Sequence, residues 1–281
     1  MTFRLPSLLA ALAVCNSSFA DLQQLDSEDP PQFRFSGEVV ADVESGYLTS
    51  SGVIYDTRPV ATQYIYGRLD SLDYGYVDGY IWALSSLHDE QHASHRALFN
   101  EFETAACYGY KLRLQGDFTL DSKGGIYWNP PAGYRGTTMD YWGVCARQSL
   151  ENPYIVPFWA GLWLFGPEMR GRVRFGFRKP FRLHEKFTVT PAVEAVWVDR
   201  RRFLAKYGDD PEDDHVFGGA FTAITTSIRT EWRFMPDWTL FVSVHQFDMI
   251  NDQARESVKN SHGYWHKTDW LIVRAGVAYE F

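Results

Sequence analysis

Cysteine, positive charge and long apolar runs are all scarce in this chain. Of its 281 residues only three are Cys, at positions 15, 107 and 145, and no two form a C-x-x-C pair. That excludes a disulfide-stapled scaffold and gives no sign of a zinc or thiol-redox motif. The formal charge is −8, from 27 Lys and Arg against 35 Asp and Glu. A nucleic-acid binder would be expected to carry a basic stripe to neutralise phosphates, so that class is excluded. Beyond the first twenty residues no stretch is apolar enough for a membrane-spanning helix. A sheet-based membrane protein remains open, because its strands alternate and never read as apolar in a sliding window.

Aromatic residues, by contrast, are abundant: ten Trp, sixteen Tyr and twenty Phe make up 16% of the chain. The first twenty residues read as an address. Arg4 precedes the apolar stretch Leu5 to Val14, and small residues stand at Ser18 and Ala20, the pattern of a secretory signal cut before Asp21. Cys15 after Leu12-Ala13-Val14 leaves a lipoprotein reading open, against which Val14 is a poor residue before a lipidated cysteine. Residues 21–32, acidic and ending in Pro30-Pro31, are expected to form a periplasmic N-terminal tail.

From Phe33 the pattern changes to a period of two, which segregates side chains onto opposite faces of a strand. Phe33, Phe35, Gly37, Val39, Ala41 and Val43 alternate with Arg34, Ser36, Glu38, Val40, Asp42 and Glu44. Leu271, Val273, Ala275, Val277, Tyr279 and Phe281 oppose Trp270, Ile272, Arg274, Gly276, Ala278 and Glu280. Gly171, Val173, Phe175 and Phe177 oppose Arg170, Arg172, Arg174 and Arg178. Twelve such segments are predicted: 33–43, 63–70, 74–85, 100–110, 114–122, 139–148, 154–163, 170–178, 187–198, 218–233, 238–247 and 270–281. Most have the length of a tilted strand crossing a bilayer. Long and short gaps alternate almost throughout, as the outward loops and periplasmic turns of a transmembrane barrel do.

Tyr64, Tyr66, Tyr74, Tyr76, Tyr80, Trp82, Trp128, Trp142, Trp232, Trp238, Trp270, Tyr279 and Phe281 fall near predicted strand ends, where aromatic girdles would account for the excess. No amphipathic helix is apparent that would cover the apolar face, so lipid is the expected cover. The fold class is therefore all-β: an antiparallel up-and-down transmembrane β-barrel of about twelve strands over residues 33–281, in the outer membrane, with both termini periplasmic.

The segment Arg274-Ala275-Gly276-Val277-Ala278-Tyr279-Glu280-Phe281 resembles the assembly signal of Gram-negative outer-membrane barrels. In that signal a polar residue (Arg274) is followed by Gly (Gly276) and two aromatics (Tyr279, Phe281). The resemblance implies as partners the barrel assembly machinery, outer-membrane lipid and lipopolysaccharide. A weaker similarity over about residues 38–68, carried by Ser45-Gly46-Tyr47, Gly52, Pro59 and Gln63, is to the first hairpin of TorF-type porins. There Ser51 replaces the Arg usual before the glycine, and no functional residue is carried over.

With twelve strands the lumen falls between those filled by side chains and those holding an aqueous channel. Facing it, on this register, are Glu38, Asp42, Asp117, Arg147, Arg170, Arg172, Arg174, Arg178, Glu194, Arg229 and Arg233. Arginines on alternate positions would make an electropositive strip for anionic solutes. Alternatively they pair with Glu38, Asp42 and Glu194 and close the interior. The expected function is porin-like passive diffusion of small polar or anionic solutes, with no cofactor, metal or catalytic residue. A closed structural or adhesive barrel acting through its outward loops is the alternative.

A lipid-modifying enzyme is the third reading. It would need a Ser activated by a His on the lipid-facing surface, and His92-Ala93-Ser94-His95, in a predicted loop, pairs the two closely. His88, His92 and His95 could share a face and hold a metal only if that loop were helical. A homo-oligomer is compatible with the sequence, but nothing identifies a subunit-facing strand. Cys107 and Cys145 are expected to point inward from strands two spacings apart. That separation of about 9–10 Å is beyond the reach of a disulfide, so free thiols are expected.

Overall fold

The computed structural model describes residues 33–49, 53–56, 58–71, 74–87, 101–130, 141–165, 170–199, 219–260 and 267–281. Residues 35–281 form one compact unit. The expected signal peptide and tail, residues 1–32, lie outside the described residues, as do His88, His92, Ser94 and His95.

In chain order the elements are strands β1 (Phe33–Glu44), β2 (Tyr47–Thr49), β3 (Val53–Asp56), β4 (Val60–Ser71), β5 (Gly75–Ser86), β6 (Glu101–Arg113) and β7 (Thr119–Asn129). Then follow β8 (Tyr141–Glu151), β9 (Val156–Phe165), β10 (Arg170–Arg178), β11 (Phe181–His184), β12 (Phe187–Asp199), β13 (Gly219–Met235) and β14 (Trp238–Met249). A helix, α1 (Asp252–Asn260), precedes the last strand, β15 (Asp269–Glu280).

All but β2 and β3 form one antiparallel sheet that closes on itself: β1 pairs with β15, and β10 with both β9 and β12. β10 and β11 lie in line against β12, interrupted at Lys179-Pro180, where proline has no N–H to give the ladder. The wall thus has twelve strand positions, and closure leaves no free sheet edge within the bilayer. Eleven of the twelve expected segments match a strand to within a few residues. The segment 63–70 belongs to the longer β4, and 114–122 is displaced. Residues 114–118 are a turn, and β7 continues to Asn129 through Gly124-Gly125, which composition alone assigns to a loop. Gly125 is in the wall because a side chain there would strike the backbone of Ala106 and Cys107.

Side-chain faces follow the period of two. Phe35, Ile65, Val77, Ile81, Ile126, Val144, Phe175, Phe177, Ile228, Val242, Val244, Leu271 and Val273 are exposed on the outside. Ile126 is 60% and Leu271 55% accessible. Several hundred Å² of contiguous exposed apolar surface marks an interaction surface, and here it encircles the wall. Aromatics flank this band. At the end carrying Phe281, Trp238 packs on Tyr279 at 4.9 Å and Phe35 on Phe281 at 5.8 Å. At the other end Trp128 and Trp142 stack at 5.3 Å.

The girdle expectation is corrected on two counts. Tyr64, Tyr66, Tyr76, Tyr80 and Trp82 share the inward face of β4 and β5 with Arg68, Asp70 and Asp78, and belong to the interior. Trp270 likewise packs inward, against the cluster that includes Phe247. A helix does exist, also contrary to expectation, but it covers none of the exterior. Ala254 and Val258 of α1 are buried against Val196, Val198, Ala223, Phe247 and Met249, which face inward from β12, β13 and β14.

Candidate functional site: the charged lumen

Three sectors of the inner wall carry charge, each placed by register. On β8–β10, Arg147 and Arg174 both oppose Ala160 of the intervening strand, and Lys123 of β7 opposes Arg147. One transverse row therefore reads Lys123, Arg147, Ala160, Arg174. In the next row Arg172 and Cys145 both oppose Leu162. The small side chain of Ala160 leaves room between the two guanidinium groups. Arg174 meets Glu194 at 3.5 Å, and Arg178 meets Glu151 at 2.9 Å. Arg147 lies 5.8 Å from the Phe158 ring. Neither Arg147 nor Arg172 has an ion pair among the described residues. Arg170 pairs by its backbone with Leu164.

The sector on β4–β7 pairs each of its two partly buried cations with a carboxylate. Arg68 forks onto Asp70, at 2.5 Å from Nη2, and its guanidinium lies 3.5 Å from the Tyr76 ring. The Tyr76 hydroxyl donates to Asp121. Lys123 Nζ reaches Asp78 at 2.6 Å, and Asp78 also accepts from the Tyr66 hydroxyl at 3.0 Å. Buried polar groups are stable only when partnered, and this network partners them.

On β13–β15 and β1, Arg274 contacts Asp42 at 2.5 Å and Glu44 at 3.5 Å, while Thr62 donates to Asp42 at 2.8 Å. Arg229 pairs with Glu231 at 2.8 Å and sits 4.0 Å from the Phe241 ring. Glu38 lines a cavity of about 280 Å³ at the Phe281 end, together with Arg182, Lys186, Arg229, Arg233 and Glu280. Arg233 meets Glu280 at 3.3 Å there.

Of the expected lumen residues, the structure brings Arg174 to Glu194, but Asp42 goes to Arg274 rather than to the β10 arginines. Asp117 is a correction: it lies exposed in the turn after β6 and not in the wall. Arg68, Asp70, Asp78, Asp121 and Lys123 are not among the expected lumen residues: the first three share segments whose aromatics point to girdles, Asp121 lies in the displaced segment, and Lys123 falls in an expected loop. The expected assembly-signal residues lie in or directly after β15. Arg274 is inward, Gly276 fits against Asp42 and the Phe241 ring, and Tyr279 and Phe281 face outward.

The end opposite Phe281 is narrowed from two sides. α1 enters over β12–β14, and Tyr47 of β2 stacks on Trp82 at 5.8 Å beside buried Val60 and Leu84. A Ser–His contact also occurs, Ser243 Oγ to His245 Nε2 at 2.9 Å. It is on the inner face with Ser243 buried, away from the lipid-facing surface where the enzyme reading needs one.

The sulfurs of Cys107 and Cys145 are 3.5 Å apart. Both residues oppose Gly125, whose missing side chain lets the thiols lean over it. They are free thiols, yet much closer together than strand spacing alone suggests. Among the described residues no group of three or more His, Cys, Asp or Glu is placed to hold a metal ion.

No family model and no curated protein matches the chain. Solved structures do. The NanC porin aligns over 86% of this chain and 98% of its own, at 10% identity and a TM-score of 0.51. An outer-membrane channel from Pseudomonas putida F1 aligns over 92% and 99%, at 11% identity and a TM-score of 0.50. The chain has the fold of an outer-membrane β-barrel. The KdgM porin, at 9% identity over 88% and 99%, gives a TM-score of 0.47.

Proposed function

We propose that this barrel is an outer-membrane channel for passive diffusion of small anionic solutes, with no chemical step. The observation that carries the reading is the β8–β10 wall. Four arginines, Arg147, Arg172, Arg174 and Arg178, face the lumen there against two carboxylates, Glu151 and Glu194, and Arg147 and Arg172 have no ion pair among the described residues. Low-dielectric walls lined by one sign of charge focus the field and concentrate counter-ions. In the other charged sectors Arg68, Lys123, Arg229, Arg233 and Arg274 each meet a carboxylate, so the excess of positive charge lies in the β8–β10 wall. Assembly through the β15 motif, and contact with lipopolysaccharide outside, belong to the same proposal.

The test is the reversal potential across a planar bilayer under a salt gradient. The wild-type protein is expected to prefer anions, and Arg172→Glu with Arg174→Glu is expected to reverse that preference. An unchanged reversal potential contradicts the arginine strip. A second reading, a closed barrel acting through its loops, is favoured by α1 and Tyr47 at the narrowed end. It predicts no conductance above that of bare lipid.

A further inference from the structure

We propose that Cys107 and Cys145 form a two-thiolate clamp for one soft, thiophilic metal ion. The diffusion reading does not use this pair. Two lengths decide between a clamp and a disulfide. Strands lie 4.7–4.9 Å apart, so residues two strands away have Cα atoms about 9–10 Å apart, against a limit of about 7 Å for a disulfide without backbone movement. Closing the bond would require the hydrogen-bonded ladders on both sides of β7 to yield. A metal ion needs no such movement. With metal–sulfur bonds of about 2.3 Å, sulfurs 3.5 Å apart bind one ion at an angle of about 100°.

The surroundings fit that use. Gly125 keeps the space above β7 clear, and Ala105, Tyr127 and Leu162 give the sulfurs an apolar bed with Tyr80 and Leu164 at its edge. Asp78, the direct cross-strand neighbour of Cys107, is held by Lys123 and Tyr66, which leaves the two sulfurs as the ligands. Cys145 is only partly covered, which leaves an approach from the lumen. An angle near 100° at two thiolates suits a thiophilic ion of tetrahedral preference, such as Zn(II) or Cd(II), over the oxygen-seeking Mg(II) and Ca(II). In the binding step each thiol releases its proton to water, and two metal–sulfur bonds replace two metal–water bonds. No electrons are transferred.

Cadmium chloride titrated into the folded, reduced barrel in detergent tests this, read by thiolate-to-cadmium absorption in the ultraviolet. The signal is expected to saturate at one ion per chain and to be absent from Cys107→Ser and from Cys145→Ser. Wild-type barrel alkylated with iodoacetamide should lose it as well, which covers the case of a variant that fails to fold. A wild type without the absorption, or a single variant that keeps it at full stoichiometry, overturns the clamp. So does an intact mass lower by two hydrogens with no titratable thiol, which would be a disulfide. None of these readouts involves conductance, so the clamp and the channel stand or fall separately.

Discussion

At the scale of single residues, the interior is held by charges whose partners come from distant parts of the sequence. Asp42 is fully buried and receives Arg274 and Thr62, which ties β1 to β15 and β4 at the point where the cylinder closes. Removing one partner from such a pair leaves an uncompensated buried charge. Asp42→Asn is therefore expected to cost about 3–5 kcal/mol, measured by urea unfolding of the barrel folded into lipid vesicles. A change under about 1 kcal/mol would mean that Glu44 alone satisfies Arg274. This partner is not legible in the sequence, because alternation assigns a residue to a face but says nothing about height or about which strand lies opposite. For the same reason Tyr64, Tyr66 and Tyr80 looked like girdle residues. Their even spacing was legible, whereas their side of the wall depended on Arg68 and Asp78 sharing it.

Elements were more legible than contacts. β10 and β15 are readable almost to the residue: on β10 arginines alternate with Val and Phe, and on β15 Leu271, Val273, Val277 and Tyr279 alternate with Arg274, Gly276 and Glu280. The bounds of β7 are not legible because Gly124-Gly125 has the composition of a loop, although Gly125 stands in the wall between the two cysteines. α1 was hidden in a long gap for a different reason. Nine residues with only Ala254 and Val258 buried give too short an apolar stripe to stand out. That helix has a consequence for passage. It occupies the inner side of β12–β14 at one end, so replacing Asp252–Asn260 with a short Gly-Ser linker is expected to raise single-channel conductance severalfold while β14 and β15 stay paired. Equal conductance in the two proteins would show that α1 does not set the narrowest section.

For the whole molecule, one division of labour organises everything else: hydrocarbon covers the outer positions and the charged lumen takes the inner ones. A hydrophobic belt of this extent needs a nonaqueous neighbour, and α1, the helix in the described residues, packs on the other side of the wall. The claim is tested directly by nitroxide labels placed one at a time at positions 241–245 of β14, in a Cys107→Ser, Cys145→Ser background reconstituted in lipid. Collision with dissolved oxygen is expected to peak at Val242 and Val244 and to fall at Phe241, Ser243 and His245. Accessibility that varies smoothly along the strand, or peaks at the odd positions, would contradict a lipid-embedded barrel and remove the basis for a channel.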